Sequence, residues 1–254
     1  MELWVEKYRP QILEDYVGNE VIKNKIADYF KQGSIQNLLF HGVAGTGKTT
    51  LAKLIAKNLN CDLLYLNASD ERGIDTIREK IIPFASSMSF NDIKIVILDE
   101  ADYLTPQAQA TLRNTIESCS KTTRFILTCN YLERIISPLQ SRCQTFEITP
   151  PSKQEVNNKC QEILTKEKTL FYDNNIDDVI NTHYPDIRKI INTLQGSIVN
   201  GQIKIDDNSL KNTQLGDQIV DALEKKLKLS AIRQILADSG AREFDGLFKV
   251  LYDD

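Results

Sequence analysis

The stretch LLFHGVAGTGKTTLAKLIA, residues 38–56, decides the fold. Its centre satisfies the pattern G-x-x-x-x-G-K-[S/T] between an apolar run and a helical repeat at Leu51, Leu54, Ile55 and Leu59. In that strand–loop–helix setting the glycines let backbone N–H groups turn inward around a phosphate, at a helix N-terminus whose dipole favours anions. Gly42, Val43, Ala44, Gly45, Thr46, Gly47, Lys48, Thr49 and Thr50 therefore form the expected nucleotide-binding loop. Lys48 is expected to neutralise the β- and γ-phosphates of ATP, and the Thr49 hydroxyl to bind Mg²⁺. A glycine turn followed by a chance Lys-Thr is the bland alternative; the flanking elements weigh against it.

Further along, IKIVILDEAD (93–102) supplies a second half. An apolar strand ending in Asp99-Glu100 puts both carboxylates at the C-terminal edge of a sheet, where open α/β sheets bind ligands. Asp99 is expected to hold the metal and Glu100 to polarise the attacking water as general base. The lesser alternative is that the two merely cap the following turn. Together the motifs favour ATP hydrolysis over ATP storage.

Around these motifs lie further apolar runs that read as strands: NLLFH (37–41), DLLYLN (62–67), IKIVIL (93–98), RFILTC (124–129) and QTFEI (144–148). Most are apolar on both faces, as buried parallel strands are, and helical patterns separate the earlier ones. One such pattern, Ile74, Ile77, Ile81 and Phe84, contains Pro83, which is expected to kink or shorten its helix. Another opens with Thr105 as N-cap and Pro106 at the first helical position. The fold class is α/β, a parallel sheet flanked by helices.

Pro150-Pro151 then breaks the chain and its character changes. Ser152 and Glu155 have capping-box spacing, and helical patterns follow. The expected division is an ATPase domain over 1–149, a small helical lid domain over 150–205, and a short helical C-terminal tail over 206–254.

Composition bounds the rest. Of 254 residues 41% are hydrophobic and 26% charged, with a net charge of −4, which argues against a bulk-basic nucleic-acid coat but leaves room for a local positive face. No signal peptide and no apolar stretch near the ~18 residues of a membrane span is recognisable. Five scattered cysteines without a C-x-x-C pair argue against a disulfide framework or zinc site and suit a reducing, cytosolic setting; most read as small buried hydrophobes. His41 and His183 read as structural, metal beyond Mg²⁺ is not expected, and Trp4 reads as an anchor for the N-terminal segment.

Three later features bear on the task. Asn130 ends a strand where an amide orients a water near a γ-phosphate; Arg142 lies in the loop SPLQSRC; Arg188 opens a helix in YPDIRKIIN. Taken singly, each arginine is more often a surface or ion-pair residue. Their order changes the reading. The succession WVEKYRP (4–10), VGNE (17–20), GVAGTGKT (42–49), LNASDERGID (66–75), LDEAD (98–102), LRNTIE (112–117), TCNY (128–131) and SPLQSRC (137–143) resembles the small subunit of replication factor C. It is also similar to the ATPase subunit of T4-like phage clamp loaders. These are AAA+ P-loop ATPases that open ring-shaped sliding clamps and place them on primed DNA.

The resemblance implies that Lys48, Thr49, Asp99 and Glu100 keep the roles above, with Asn130 as sensor 1, Arg188 as sensor 2 in the lid, and Arg142 as an arginine finger completing a neighbouring subunit's site. It puts Arg9, Pro10 and Val17 at the adenine pocket and Asn67 at a polar switch able to hold Glu100 off the water. Helices carrying Arg72, Arg78 and Lys80, and Arg113, would face DNA. Charge alone reads the first of these as a solvated helix, since Asp75 and Glu79 offset it. Any contact would be to phosphates and salt-sensitive. The double arginine usual in that last segment is Arg113-Asn114 here, and residues 206–254 have room only for the start of the family's helical collar. Implied cofactors are ATP and Mg²⁺. Implied partners are other clamp-loader subunits in an oligomer of pentameric type, a sliding clamp and primer–template DNA, in the cytoplasm or, for a eukaryotic source, the nucleus. Alternatives are another AAA+ remodeller (a helicase loader or branch-migration motor), a non-hydrolysing ATP-binding scaffold, or, superficially, a DEAD-box helicase, which would need a second motor domain.

Overall fold

The computed structural model describes residues 2–203 apart from 90 and 92; the tail expected over 206–254 lies outside the described residues. Contacts divide the chain into two compact units, Met1–Val156 with Pro185–Arg188, and Asn157–Tyr184 with Lys189–Asp254.

In the first unit a short helix α1 (Trp4–Lys7) buries Trp4 and leads to α2 (Glu20–Gln32). Five strands follow: β1 (Leu38–His41), β2 (Cys61–Asn67), β3 (Ile93–Asp99), β4 (Thr123–Cys129) and β5 (Gln144–Glu147). They pair in the order β2-β3-β4-β1-β5, all parallel. Each expected strand is present to within one residue at either end.

Period-two alternation sorts the strand residues into two cores. On one face Leu38, Phe40, Ile95, Ile97 and Ile126 pack beneath Ile26 of α2 and Leu51 and Ile55 of α3 (Lys48–Asn58). On the other, Leu39, Val96, Leu98, Phe125 and Leu127 meet Ile77, Ile81, Leu112 and Ile116. These come from two helical segments. One is α6 (Pro106–Ser118), where Thr105 Oγ1 accepts the Ala108 N–H at 3.2 Å, the cap read from sequence. The other runs through α4 (Ile74–Thr76), a π-helical turn (Ile77–Ile81) and α5 (Ile82–Ser86).

That π turn is the form Pro83's disturbance takes. Proline has no N–H to donate and its ring crowds the carbonyl four residues back. Widening the preceding turn accommodates it while Ile77 and Ile81 stay fully buried. At the end of α5, the buried Lys94 of β3, 1% exposed, donates from Nζ to the Phe84 carbonyl at 2.7 Å, to the Ser87 carbonyl and to Ser87 Oγ. A lysine thus does the work of a helix C-cap inside the core. A short helix α7 (Ser137–Gln140) precedes β5.

Helix α8 (Lys153–Lys166) opens with the expected capping box: the Ser152 N–H donates to Glu155 Oε2 at 2.8 Å and the Glu155 N–H to Ser152 Oγ at 3.3 Å. The described part of the second unit holds the rest of α8, α9 (Asp173–His183) and most of α10 (Ile187–Gly196). Asn157 Nδ2 and Gln161 Nε2 of α8 donate to Asp177 and Asp173 of α9. The sequence reads this region as helical, and to the helices the structure adds a short hairpin. β6 (Ile198–Val199) and β7 (Gln202–Ile203) form an antiparallel hairpin whose Asn200-Gly201 turn has both φ values positive, 53° and 77°. Asn-Gly between apolar pairs is the residue choice such a turn requires.

The cysteine expectation holds only in part. All five are free, Cys129 and Cys160 are buried, and Cys61, Cys119 and Cys143 are partly exposed at the ends of elements.

Candidate nucleotide-binding site

The order β3-β4-β1 brings the C-terminal ends of three strands side by side, and the loops leaving them carry the expected chemistry. After β1, Gly42, Gly45 and Gly47 hold φ values of +144°, +80° and +97°. A Cβ on Gly42 would overlap the Ile148 carbonyl oxygen, one on Gly45 the carboxylate of Asp186, and one on Gly47 would approach the Tyr16 ring at 3.1 Å. Glycine is therefore a packing requirement here as well as a backbone one. Lys48, first residue of α3, turns back over the loop and donates from Nζ to the Gly42 and Val43 carbonyls, both at 2.8 Å. Burial pulls its pKa below the ordinary lysine range, and Cys129, Asp102, Asp99 and Glu100 pull it back. A cation held by loop carbonyls amid inward-turned glycine backbone is the donor set a polyphosphate requires.

At the end of β3, Asp99 is 6% exposed and three hydroxyls surround it. Thr49 Oγ1 donates to Oδ1 at 2.8 Å, Thr128 Oγ1 donates to the same oxygen, and Tyr65 OH donates to Oδ2 at 2.8 Å. A hydroxyl beside a carboxylate is the hard-oxygen pair that Mg²⁺ accepts alongside water and phosphate. Glu100 follows in the left-handed region, φ +54°, with its N–H donating to Thr128 Oγ1 at 3.0 Å. Asp102 is also 6% exposed; its Oδ2 accepts the N–H groups of Asn130 at 3.3 Å and Tyr131 at 3.2 Å, while its Oδ1 has no hydrogen-bond partner. The β3–β4 register runs from Lys94↔Thr123 to Leu98↔Leu127. Past it, Thr128 and Asp102 lace the two strand ends together.

Asn67 pairs in register with Asp99, and its Oδ1 accepts the Ser69 N–H at 2.9 Å, forming a local turn. The N-terminal segment reaches the loop through Tyr16, whose hydroxyl donates to the Thr46 carbonyl at 3.4 Å. Within it Pro10 and Val17 are half-buried, and Arg9 pairs with Glu6 at 2.5 Å while its Nε is buried without a partner. Pro185–Arg188 belongs to the first unit, consistent with Asp186 lying against Gly45; Arg188 itself is exposed.

Arg142 is elsewhere. It precedes β5, whose Gln144 pairs with Leu38 at the start of β1, whereas the phosphate loop leaves the end of β1 after His41. Asn37 Nδ2 donates to the Arg142 carbonyl at 3.3 Å, fixing it to that opposite edge. Its guanidinium donates from Nε and Nη2 to Glu117 Oε1, and from Nη1 to the Pro138 carbonyl. It borders an open polar cavity of about 420 Å³ shared with Gln36, Asn37, Arg124 and Gln144.

Residues 38–151 match the AAA family, the ATPase family associated with various cellular activities. The replication factor C small subunit of Archaeoglobus fulgidus is 39% identical over 236 residues, covering 89% of this chain and 74% of that protein. The chain belongs to the replication factor C small-subunit family. The Methanoregula boonei member is 39% identical over 251 residues (96% of this chain, 74% of that one), and the Natronomonas pharaonis member 45% over 206. Against the last, the chain spans 63% of its relative's length. Among solved structures, a Thermotoga maritima RuvB Holliday junction branch migration motor superposes with a TM-score of 0.67 at 17% identity, covering 93% of each chain. That likeness establishes the AAA fold alone and does not favour the branch-migration alternative.

In this family member, Thr49, Asp99, Glu100 and Asn130 share one sheet edge with the loop. Of the basic residues expected to face DNA, Arg113 lies on α6, Arg78 and Lys80 lie in the π turn between α4 and α5, which packs against α6, and Arg72 lies in the loop before α4. Arg72 and Arg78 are exposed, Lys80 pairs with Glu71 at 2.6 Å, and Arg113 donates from Nε and Nη2 to Asn114 Oδ1. The Asn114 departure from the family pattern thus gives Arg113 a side-chain partner on its own helix. The sequence reading missed Tyr65, Thr128 and Asp102. Thr128 lies in β4 two residues before Asn130, where alternation would have found it, whereas Asp102 lies past the end of β3 in a 3₁₀ turn (Ala101–Tyr103), where no strand period marks it. Among the described residues, no helix is long and apolar enough to cross a membrane.

Proposed function

We propose that the chain is an ATP-hydrolysing subunit of a clamp loader, which grips an open sliding clamp and primer–template DNA in its ATP-bound state and releases the closed clamp on hydrolysis. The family relationship supports this, and the separation of Arg142 from its own phosphate loop supports it most. About four strand residues, roughly 13 Å, lie between the sheet edge that carries Arg142 and the edge that carries Lys48. An arginine so placed has a use in ATP chemistry only if a second subunit presents its nucleotide to it.

In this reading Gly42–Thr50 cradles the phosphates, Lys48 leaves the loop carbonyls for the β- and γ-phosphates, and Arg9, Pro10 and Val17 hold the adenine. Thr49 and Asp99 hold Mg²⁺, which, when bound, neutralises charge on the phosphate oxygens. Glu100 takes a proton from the attacking water, Asn130 orients that water, and Asn67 restrains Glu100 until assembly. Arg142 meets the γ-phosphate of the neighbour, and Arg188 meets that of its own chain. Arg72, Arg78, Lys80 and Arg113 would contact DNA phosphates. The relatives named above are archaeal, which fits action in the cytoplasm.

The test is steady-state ATP hydrolysis by the complex with its co-purifying subunits, with and without primer–template DNA and the clamp of the same genome. Several-fold stimulation that needs both, and is lost in Arg142→Ala, is expected; unstimulated turnover in a complete complex would overturn the reading. Glu100→Gln should retain ATP binding while turnover falls by about 10²-fold or more. Wild-type binding without turnover in that complete complex would instead favour a non-hydrolysing scaffold.

A further inference from the structure

Tyr65 lies outside every motif described above, yet its hydroxyl is the only side-chain donor to Asp99 Oδ2 among the described residues. Its place in the sheet explains the reach. β2 is an edge strand, Tyr65 pairs with Ile97, and Asp99 is two residues further on the same face of β3, a diagonal neighbour within range of a long aromatic side chain. The ring is 37% exposed and carries the Lys53 ammonium of α3 over its face, 4.3 Å from the centroid.

The other carboxylate oxygen, Oδ1, accepts from both Thr49 and Thr128. Thr49 is the hydroxyl expected to turn to Mg²⁺, which leaves Thr128 on one oxygen and Tyr65 on the other as the fixed supports of the carboxylate plane. A carboxylate held at both oxygens keeps one orientation; held at one, it rotates about its last bond. Groups that orient a metal-binding side chain in this way typically govern affinity by 10–100-fold.

We propose that Tyr65 is a positioning residue for the metal site, holding Asp99 in the orientation that binds Mg²⁺. The proposal rests on Asp99 and Thr49 being the metal-binding pair. Tyr65→Phe removes the hydroxyl while keeping the ring under Lys53. Binding of a non-hydrolysable ATP analogue to the full chain is measured in EDTA and across a Mg²⁺ titration, with Mn²⁺ binding in the presence of the analogue followed directly by electron paramagnetic resonance. Expected are unchanged affinity in EDTA and a three- to tenfold higher Mg²⁺ or Mn²⁺ requirement, the same shift in Tyr65→Leu, and none in Lys53→Ala.

A role in packing alone would lower affinity in EDTA as well, and that result overturns the proposal. Wild-type Mg²⁺ dependence in Tyr65→Phe also overturns it while leaving the metal pair standing. Failure of the unmodified chain to show any Mg²⁺-dependent binding would sink both.

Discussion

Thr128 accepts the backbone N–H of Glu100 at 3.0 Å while donating its own proton to Asp99 Oδ1. One hydroxyl therefore fixes both the proposed metal-binding carboxylate and the backbone that aims the proposed general base. It does so where Glu100 adopts the left-handed conformation, which for a residue with a Cβ costs roughly 1–2 kcal/mol.

Thr128→Val keeps the shape and removes both bonds. Because the Glu100 N–H then lacks a buried acceptor, a loss of about 1–3 kcal/mol in stability is expected. Turnover should fall about tenfold or more, with ATP-analogue affinity changed less. Chemical denaturation and single-turnover kinetics check the two parts; equal losses in binding and turnover would refute the division.

Gly42→Ala tests the packing beneath the phosphate loop. The new methyl would have to overlap the Ile148 carbonyl oxygen at a φ of +144°, and that backbone atom cannot rotate away as a flexible side chain would. A loss of at least about 2 kcal/mol is expected, with weaker nucleotide binding. A melting temperature within a degree of the parent would show that the loop relaxes freely.

Lys94→Met tests the buried ammonium. Methionine fills the space but leaves the Phe84 and Ser87 carbonyls at the end of α5 without their donor. Losing a charged donor to two carbonyls at this partly buried helix end should cost about 1–3 kcal/mol. Urea unfolding measures it, and a neutral result would mean that water replaces the lysine.

The cysteines give a pH prediction. Burial raises the thiols of Cys129, Cys143 and Cys160 to about 12, so at pH 8 only about one molecule in 10⁴ carries each thiolate. Alkylation by iodoacetamide should be slow there and rise about tenfold per pH unit, because only the thiolate reacts. Peptide mapping after timed alkylation checks this. Rapid labelling of Cys129 or Cys160 at pH 8 in the folded chain would contradict it.

Much of the fold was legible because its signals are local. Runs such as Ile95–Leu98 are apolar on both faces whichever helix covers them, and Gly42–Thr49 declares its backbone through its spacing. What escaped depends on contacts across the sheet. Nothing in DLLYLN announces that Tyr65 reaches Asp99, 34 residues on, and nothing in the lone Lys94 announces that a helix end will be folded over it. The Asn200-Gly201 hairpin, by contrast, was written in adjacent residues and was missed because helical patterns on either side dominated the reading.

The placement of the phosphate loop and Arg142 on opposite edges of one sheet has a consequence for counting. If each copy lends its arginine to the next, contacts run head to tail, and the subunit surface that gives differs from the surface that receives. An open arc of n such chains then holds n − 1 complete sites: one terminal arginine reaches no nucleotide and one terminal loop receives no arginine. Replacing a single interior copy with Arg142→Ala would silence one site and leave its own loop competent. Activity in mixtures of parent and variant should therefore fall by one site for each altered chain, except that an altered copy at the end whose arginine reaches no nucleotide costs nothing.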